Sequence, residues 1–287
     1  MAKKCTSGEK TRCITACDTK RGRVAVRPGE GTLKKYLLSF AAVAVLLFGN
    51  SQIARAQTEI TLIAPGGVKA PLDKLVPMFE KKTGYKVKMT IGSGLGTKKQ
   101  VIQGDAFDLP IVQAPLAEVI ASGNVVASTE TPLANVSVGV AVRKGAPKPD
   151  IPTPGAVKKL LLTAKSISYP DAAGGAAAGV SFKKTISDLG IADQIQSKIT
   201  LAQGGANAME RLAKGEVEIG LTFVSEMKDP GIDIVGPLPK EICPPTVLVG
   251  YVSSHAKDPA ATKALLDFLS SPDAAAVYKG EGMQPGK

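Results

Sequence analysis

The residues with the most distinctive chemistry in this chain are glycines. Gly66-Gly67, Gly92/Gly94/Gly96, Gly174-Gly175 and Gly204-Gly205 each stand between an apolar stretch and an amphipathic one. Glycine lets the backbone approach a ligand closely, and a helix that follows presents unpaired N–H groups and the positive end of its dipole. One such turn is ordinary punctuation between a strand and a helix. Four of them, two in each half, predict a site that holds an anion by hydrogen bonds rather than by ion pairs. The sharper phosphate motifs are missing. GSGLG is G-x-G-x-G, Asp105 and Asp108 follow it too soon to hold a ribose, and no G-x-x-x-x-G-K-S/T occurs, so neither a dinucleotide site nor a P-loop is expected.

The other reactive side chains are few. A single histidine excludes a multi-histidine metal centre, and His255, followed by AKDP, reads as a solvated loop residue. Cys5, Cys13 and Cys17 have the spacing C-x7-C-x3-C, which is no zinc pattern. Cys243 stands alone before an apolar run and reads as a buried, inert thiol. No acid–base pair converges on the glycine turns, so no catalytic residue, metal or cofactor is expected.

Charge is unevenly spread. The 36 Lys+Arg and 25 Asp+Glu give net +11, but residues 1–56 hold eleven basic and three acidic residues, leaving net +3 for the rest. Nucleic-acid binding loses its support once this leader is set aside. Within it, Lys34-Lys35 precede the apolar run Tyr36–Phe48, and Ala54-Arg55-Ala56 matches a small-x-small cleavage site. Together they predict a signal peptide over 32–56, cleaved after Ala56, and export to the periplasm. Thirteen apolar residues fall short of the roughly 20 that cross a bilayer. Residues 1–31 ahead of it read as an extension from a mis-assigned start.

The elements that must position the glycine turns follow from periodicity. Strands are expected at Ile60–Ala64, Lys86–Ile91, Asp108–Gln113, Val136–Val142, Ser166–Tyr169, Ile199–Gln203, Ile219–Phe223, Ile232–Val235 and Thr246–Val252. Helices are expected at Ala70–Lys82, Thr97–Gln103, Pro115–Ser122, Ala156–Ala164, Ala178–Leu189, Ala208–Lys214, Pro259–Ser270 and Pro272–Lys279. The alternation predicts an α/β protein with a mostly parallel sheet in each of two lobes, residues 57–138 with 240–287 and residues 139–239. The Pro-rich GAPKPDIPTPG near residues 145–155 reads as the break between similar halves. Ligands of such sheets lie beyond the carboxyl ends of the strands, where all four turns fall.

From ITLIAPGGVKAPLDKLVPMFEKKTGYKV, Ser93 with QGDAFDLPIV, YPDAAGGAAAGVSF, ERLAKGEVEIGLTF and LLDFLSSPDAAAVYKGEGM, the chain resembles the periplasmic solute-binding proteins of ABC importers, most closely the molybdate-binding family. The resemblance implies a type II periplasmic-binding-protein fold that closes on a small oxyanion, with molybdate or tungstate as the leading ligand. It also implies a monomer that performs no chemistry and hands its ligand to an ABC permease of the inner membrane. Carried over by position, the ligand site would comprise Gly66, Gly67, Ser93, Gly94, Ala178, Gly205 and Phe223. The family's first-turn serine falls on Gly67, and its capping tyrosine falls on Phe223, so two hydroxyl donors are missing. Thr222 or Ser225 would compensate, or the ligand is another anion such as sulfate or a carboxylate. A periplasmic enzyme acting on a small polyacid is the more distant alternative. Lys69 reads either as a donor to such an anion or as a solvated first-turn lysine. Ser93 is assigned to the ligand because a helix cap is expected nearer Gly96-Thr97.

Overall fold

The computed structural model describes residues 59–286; the signal peptide expected over 32–56, and Cys5, Cys13 and Cys17, lie outside the described residues. The chain builds two sheets, each with helices on both faces. The first lobe opens with β1 (Glu59–Pro65), α1 (Lys69–Thr83), β2 (Lys86–Gly92), α2 (Gly94–Gln103), β3 (Leu109–Gln113), α3 (Ala117–Ala121) and β4 (Thr131–Val136). The chain then enters the second lobe. There it forms β5 (Val138–Arg143), α4 (Pro154–Thr163), β6 (Ile167–Pro170), α5 (Ala177–Asp188), α6 (Ala192–Ile195), β7 (Ile199–Ala202), α7 (Gly205–Ala213), β8 (Ile219–Phe223) and β9 (Ile232–Pro237). It returns to the first lobe with β10 (Thr246–Gly250), α8 (Pro259–Leu269), α9 (Pro272–Gly280) and β11 (Gln284–Pro285).

The strand orders are β11-β4-β10-β3-β1-β2 and β7-β6-β8-β5-β9. The fold class is the expected one, but both sheets are mixed. β1 pairs in parallel with β2 and β3, and β6 with β7 and β8, whereas every pairing of β4, β5, β9, β10 and β11 is antiparallel. β4, β5, β9 and β10 are the strands adjoining the passages between lobes. A chain arriving from the other lobe runs against its neighbours, which strand–helix alternation alone does not reveal.

Two boundaries also differ from expectation. Val136–Val142 is not one strand: Ser137 separates β4 from β5, and these belong to different sheets. The Pro-rich segment is not a lobe boundary either. It joins β5 to α4, and the strands on both sides of it, β5 and β6, lie in the second sheet.

Burial of both sheet faces explains the near-continuous apolar strands. In β1, Leu62 packs with Leu72, Leu75 and Phe79 of α1, while its neighbour Ile63 packs on the opposite face with Val101 of α2 and Val119 of α3. In the second lobe Phe182 and Ile186 of α5 belong to the main core, and Met209 and Leu212 of α7 fill the other face with Ala141. Asp108 fastens the first sheet. Its carboxylate accepts from Thr61 N (2.7 Å), Thr61 Oγ1 (2.6 Å) and Lys257 N (2.7 Å). Burial pushes the Asp108 carboxyl up, but these bonds outweigh it and hold the group below its ordinary value.

Candidate functional site

The four strand-to-helix turns meet across one cleft of about 270 Å³ between the two sheets. Pro65, Gly66 and Gly67 line it from the end of β1, and Gly92, Ser93 and Gly94 from the junction of β2 with α2. Ala176, Ala177 and Ala178 contribute the start of α5; Gln203, Gly204 and Gly205 contribute the start of α7. Gly66, Gly67, Ser93, Gly94, Ala178, Gly205 and Phe223, the residues expected from the sequence, therefore share one cavity. Gly174 and Gly175 do not line it. Gly175 supplies a carbonyl to Leu95 N instead (3.0 Å), a backbone bond between the lobes.

Three helices of eight or more residues, α2, α5 and α7, begin at the cavity wall. Their first N–H groups have no partner within the helix, and each start carries about half a positive charge. Glycine is needed where the walls come closest. A methyl on Gly94 would overlap Gln113 Oε1 and lie 2.7 Å from the Cβ of Ala177. A methyl on Gly205 would overlap Glu226 Oε2 and Thr222 Oγ1. At the first turn, a Cβ on Gly67 would lie 2.9 Å from the Phe223 ring. The two missing hydroxyls are thus one arrangement: the Phe223 ring occupies the space that a side chain at position 67 would need.

Ser93 is the N-cap of α2, and its Oγ accepts from Gly96 N (3.1 Å). The helix starts three residues before the expected Thr97, which places the cap on Ser93 itself. The hydroxyl proton remains free to donate into the cavity that Ser93 lines. The two hydroxyls considered as compensating donors are committed elsewhere. Ser225 Oγ donates to Gly67 O across the lobes (2.7 Å), and Thr222 Oγ1 donates to Glu226 Oε2. Lys69 is exposed and paired with Asp73, outside the lining. His255 lies on an exposed loop beside Asn124 (3.1 Å), and Cys243 is buried and free, its thiol pushed up by burial.

Among the lining residues that the sequence does not mark, Gln113 and Glu226 bear the most chemistry. Gln113 closes β3 and is only 6 % exposed, yet its Oε1 has no hydrogen-bond partner. Glu226 is the single titratable side chain among the described lining residues. Its Oε1 faces Gly66, where a Cβ would lie 3.3 Å away, and its Oε2 faces Gly205. Removal from water pushes the carboxyl above its ordinary range, against opposing bonds from the Thr222 hydroxyl and the Phe223 backbone N–H. Gln113 ends an apolar strand and Glu226 stands in VSEMK, so neither has a periodic signal that marks it as inward-facing.

A further link lies away from the cavity. Glu281, just beyond α9, accepts Lys74 of the first lobe (2.6 Å) and Lys228 of the second (2.5 Å).

Residues 60–284 match the bacterial extracellular solute-binding protein family. An aconitate isomerase from Pseudomonas sp. is 31% identical over 254 residues, covering 85% of this chain and 95% of that protein. The molybdate-binding protein ModA of Azotobacter vinelandii is 27% identical over 246 residues, covering 84% of this chain and 95% of its own. The solved structure of the A. vinelandii periplasmic molybdate-binding protein superposes with a TM-score of 0.66 at 18% identity, covering 78% of this chain and 98% of that one. The type II two-lobed fold is shared with it.

Proposed function

The chain belongs to the bacterial extracellular solute-binding protein family, and from that premise we propose that it is the periplasmic binding component of an ABC importer for a small organic acid bearing two or more carboxylates. The observation that carries this reading is Glu226 on the cavity wall. A carboxyl facing a fully ionised tetrahedral oxyanion is either repelled or must stay protonated. Facing a polycarboxylate, it shares a proton with one of the ligand's own carboxyl groups in a strong hydrogen bond. Size agrees: about 270 Å³ sits just below the roughly 300–1,000 Å³ of pockets that enclose drug-sized ligands, and exceeds the needs of a five-atom anion. Aconitate, the compound in one relative's name, is a tricarboxylate.

Molybdate or tungstate is the second reading, favoured by a described lining without Lys or Arg and by the A. vinelandii relative. Against it stand the two absent hydroxyls at Gly67 and Phe223, since charge-assisted bonds to an anion contribute about 1.5–3 kcal/mol each. In either case the ligand bridges two lobes, and the closed form is what an inner-membrane permease would recognise, with the binding protein acting as a monomer.

Thermal-shift and calorimetric titration with trans-aconitate, citrate, molybdate, tungstate, sulfate and phosphate tests the reading. A polycarboxylate at 100 times its Kd is expected to stabilise the protein by about 2.7 kcal/mol. Binding of molybdate or tungstate alone would overturn it.

A further inference from the structure

Glu226 is placed for more than recognition. Its Oε2 is held by Thr222, while Oε1 is turned toward the Gly66 backbone at the cavity wall. The elements around it, the turn after β1, the end of β8 and the start of α7, present Gly66, Thr222 and Gly205, none of them ionisable. Among the described residues, therefore, no counter-charge on these elements locks the carboxyl in one protonation state. Opposite it stands the first-lobe wall with the unpartnered amide oxygen of Gln113. The starts of α2, α5 and α7 surround the same space with partial positive charge.

We propose that Glu226 carries a proton between two carbons of a bound unsaturated polycarboxylate, making the cleft an acid–base site for a 1,3-allylic shift. This rests on the polycarboxylate reading above. The ionised carboxyl takes a proton from a methylene carbon next to a ligand carboxylate: the C–H bond breaks, an O–H bond forms on Glu226, and the electron pair spreads through the adjoining double bond. Glu226 then returns the proton to the far carbon of the allylic system. The double bond moves by one position, and its geometry is set by the ligand's rotation in the cleft. Nothing is oxidised or reduced, and no second reactant is consumed. Charge that develops on the ligand carboxylates during the transfer meets the helix starts, which are fixed before the reaction begins. A carboxyl pushed above its ordinary range by burial holds a proton more firmly than a solvated one, which suits it to taking and returning one.

The test uses the full chain with trans-aconitate as the probe, following the cis isomer by proton NMR and binding by calorimetry. The wild type is expected to bind the probe and to form the cis isomer, at a rate that rises with pH and levels off as Glu226 ionises. Glu226→Gln, measured at saturating trans-aconitate so that any change in Kd is set aside, is expected to lose at least about 100-fold in the rate of the bound ligand, the usual scale of acid–base participation. Glu226→Asp, which keeps the carboxyl, is expected to fall between the two in rate with an altered pH profile; a merely structural role would leave that profile unchanged. Binding by the wild type without any cis product overturns this proposal and leaves the binding reading intact. So does isomerisation by Glu226→Gln at the wild-type rate. Failure to bind trans-aconitate, citrate or another polycarboxylate overturns both.

Discussion

The two walls of the cleft are built alike but furnished differently. Each offers glycine-rich turns at strand ends, yet the first lobe adds neutral side chains, the Ser93 hydroxyl and the Gln113 amide, to a single long-helix start. The second lobe adds two helix starts, the Phe223 ring and the Glu226 carboxyl. One wall reads the outline of an anion through uncharged donors. The other sets the electrostatics, because both the larger share of helix dipole and the ionisable group lie there. Similar topology thus supplies different chemistry according to which single residues stand at equivalent turns.

The sharpest way to break this asymmetry is at Gly205. Gly205→Ala puts a methyl into Glu226 and Thr222, so calorimetry should show at least about 1,000-fold weaker ligand binding, about 4.1 kcal/mol. If the second wall tolerates it with unchanged affinity, that wall does not set the electrostatics. In the first lobe the large effect should be on stability. Asp108→Ala strands the N–H groups of Thr61 and Lys257, and denaturant unfolding should lose about 3 kcal/mol while affinity is kept. Ser93→Ala probes the first wall itself. It should weaken binding about tenfold, about 1.4 kcal/mol, and cost about 1 kcal/mol of stability through the lost cap.

Smaller effects separate the two lobes by pH. Asp108 is held below its ordinary value, so its contribution is present above the usual carboxyl range and is lost as pH falls through the folded pKa. Glu226 is raised, and the sign reverses: stability declines as pH climbs from the usual carboxyl range to the raised folded pKa. Glu226→Gln should therefore flatten that part of the melting-temperature profile and raise the melting temperature at pH 8, whereas Asp108→Asn should alter only the acid limb. The smallest expected change is at Lys69. Lys69→Ala should leave affinity within about twofold, because the ammonium is exposed and paired with Asp73 outside the cavity.

Much of this arrangement is legible in the sequence. Strand–turn–helix punctuation located the glycine turns, because a backbone that must approach a ligand leaves glycine as its trace. Pro259 and Pro272 likewise marked the starts of α8 and α9, which the structure caps with Asp258 and Ser271. Partner-dependent features were not legible. The Phe223 ring fills the space beside Gly67 from 156 positions away, and only the folded chain shows that the ring and the missing side chain fit one another. Gln113 ends a strand and Glu226 stands in the short turn after one, where local pattern cannot tell a solvated tip from a cavity wall. The passage at Ser137 was hidden because VSVGVAV is apolar throughout, although its two halves serve different sheets.

That passage has a mechanical consequence. Ser137 alone separates β4 from β5, and its carbonyl accepts Val224 N (3.0 Å), one rung beyond the pairing of Val138 with Phe223. The joint is therefore clamped on the second-lobe side, and torsion between the sheets concentrates in the few dihedral angles toward Val136. A pivot so short behaves as an axle rather than a tether: it permits rotation but no translation. The lobe beyond it acts as a lever arm, so twist at Val136-Ser137 is read out as separation at the Leu95–Gly175 bond across the cleft. Stiffening this axle would change how fast the cleft opens, on the microsecond-to-millisecond scale of hinge motions, without touching any atom that lines it.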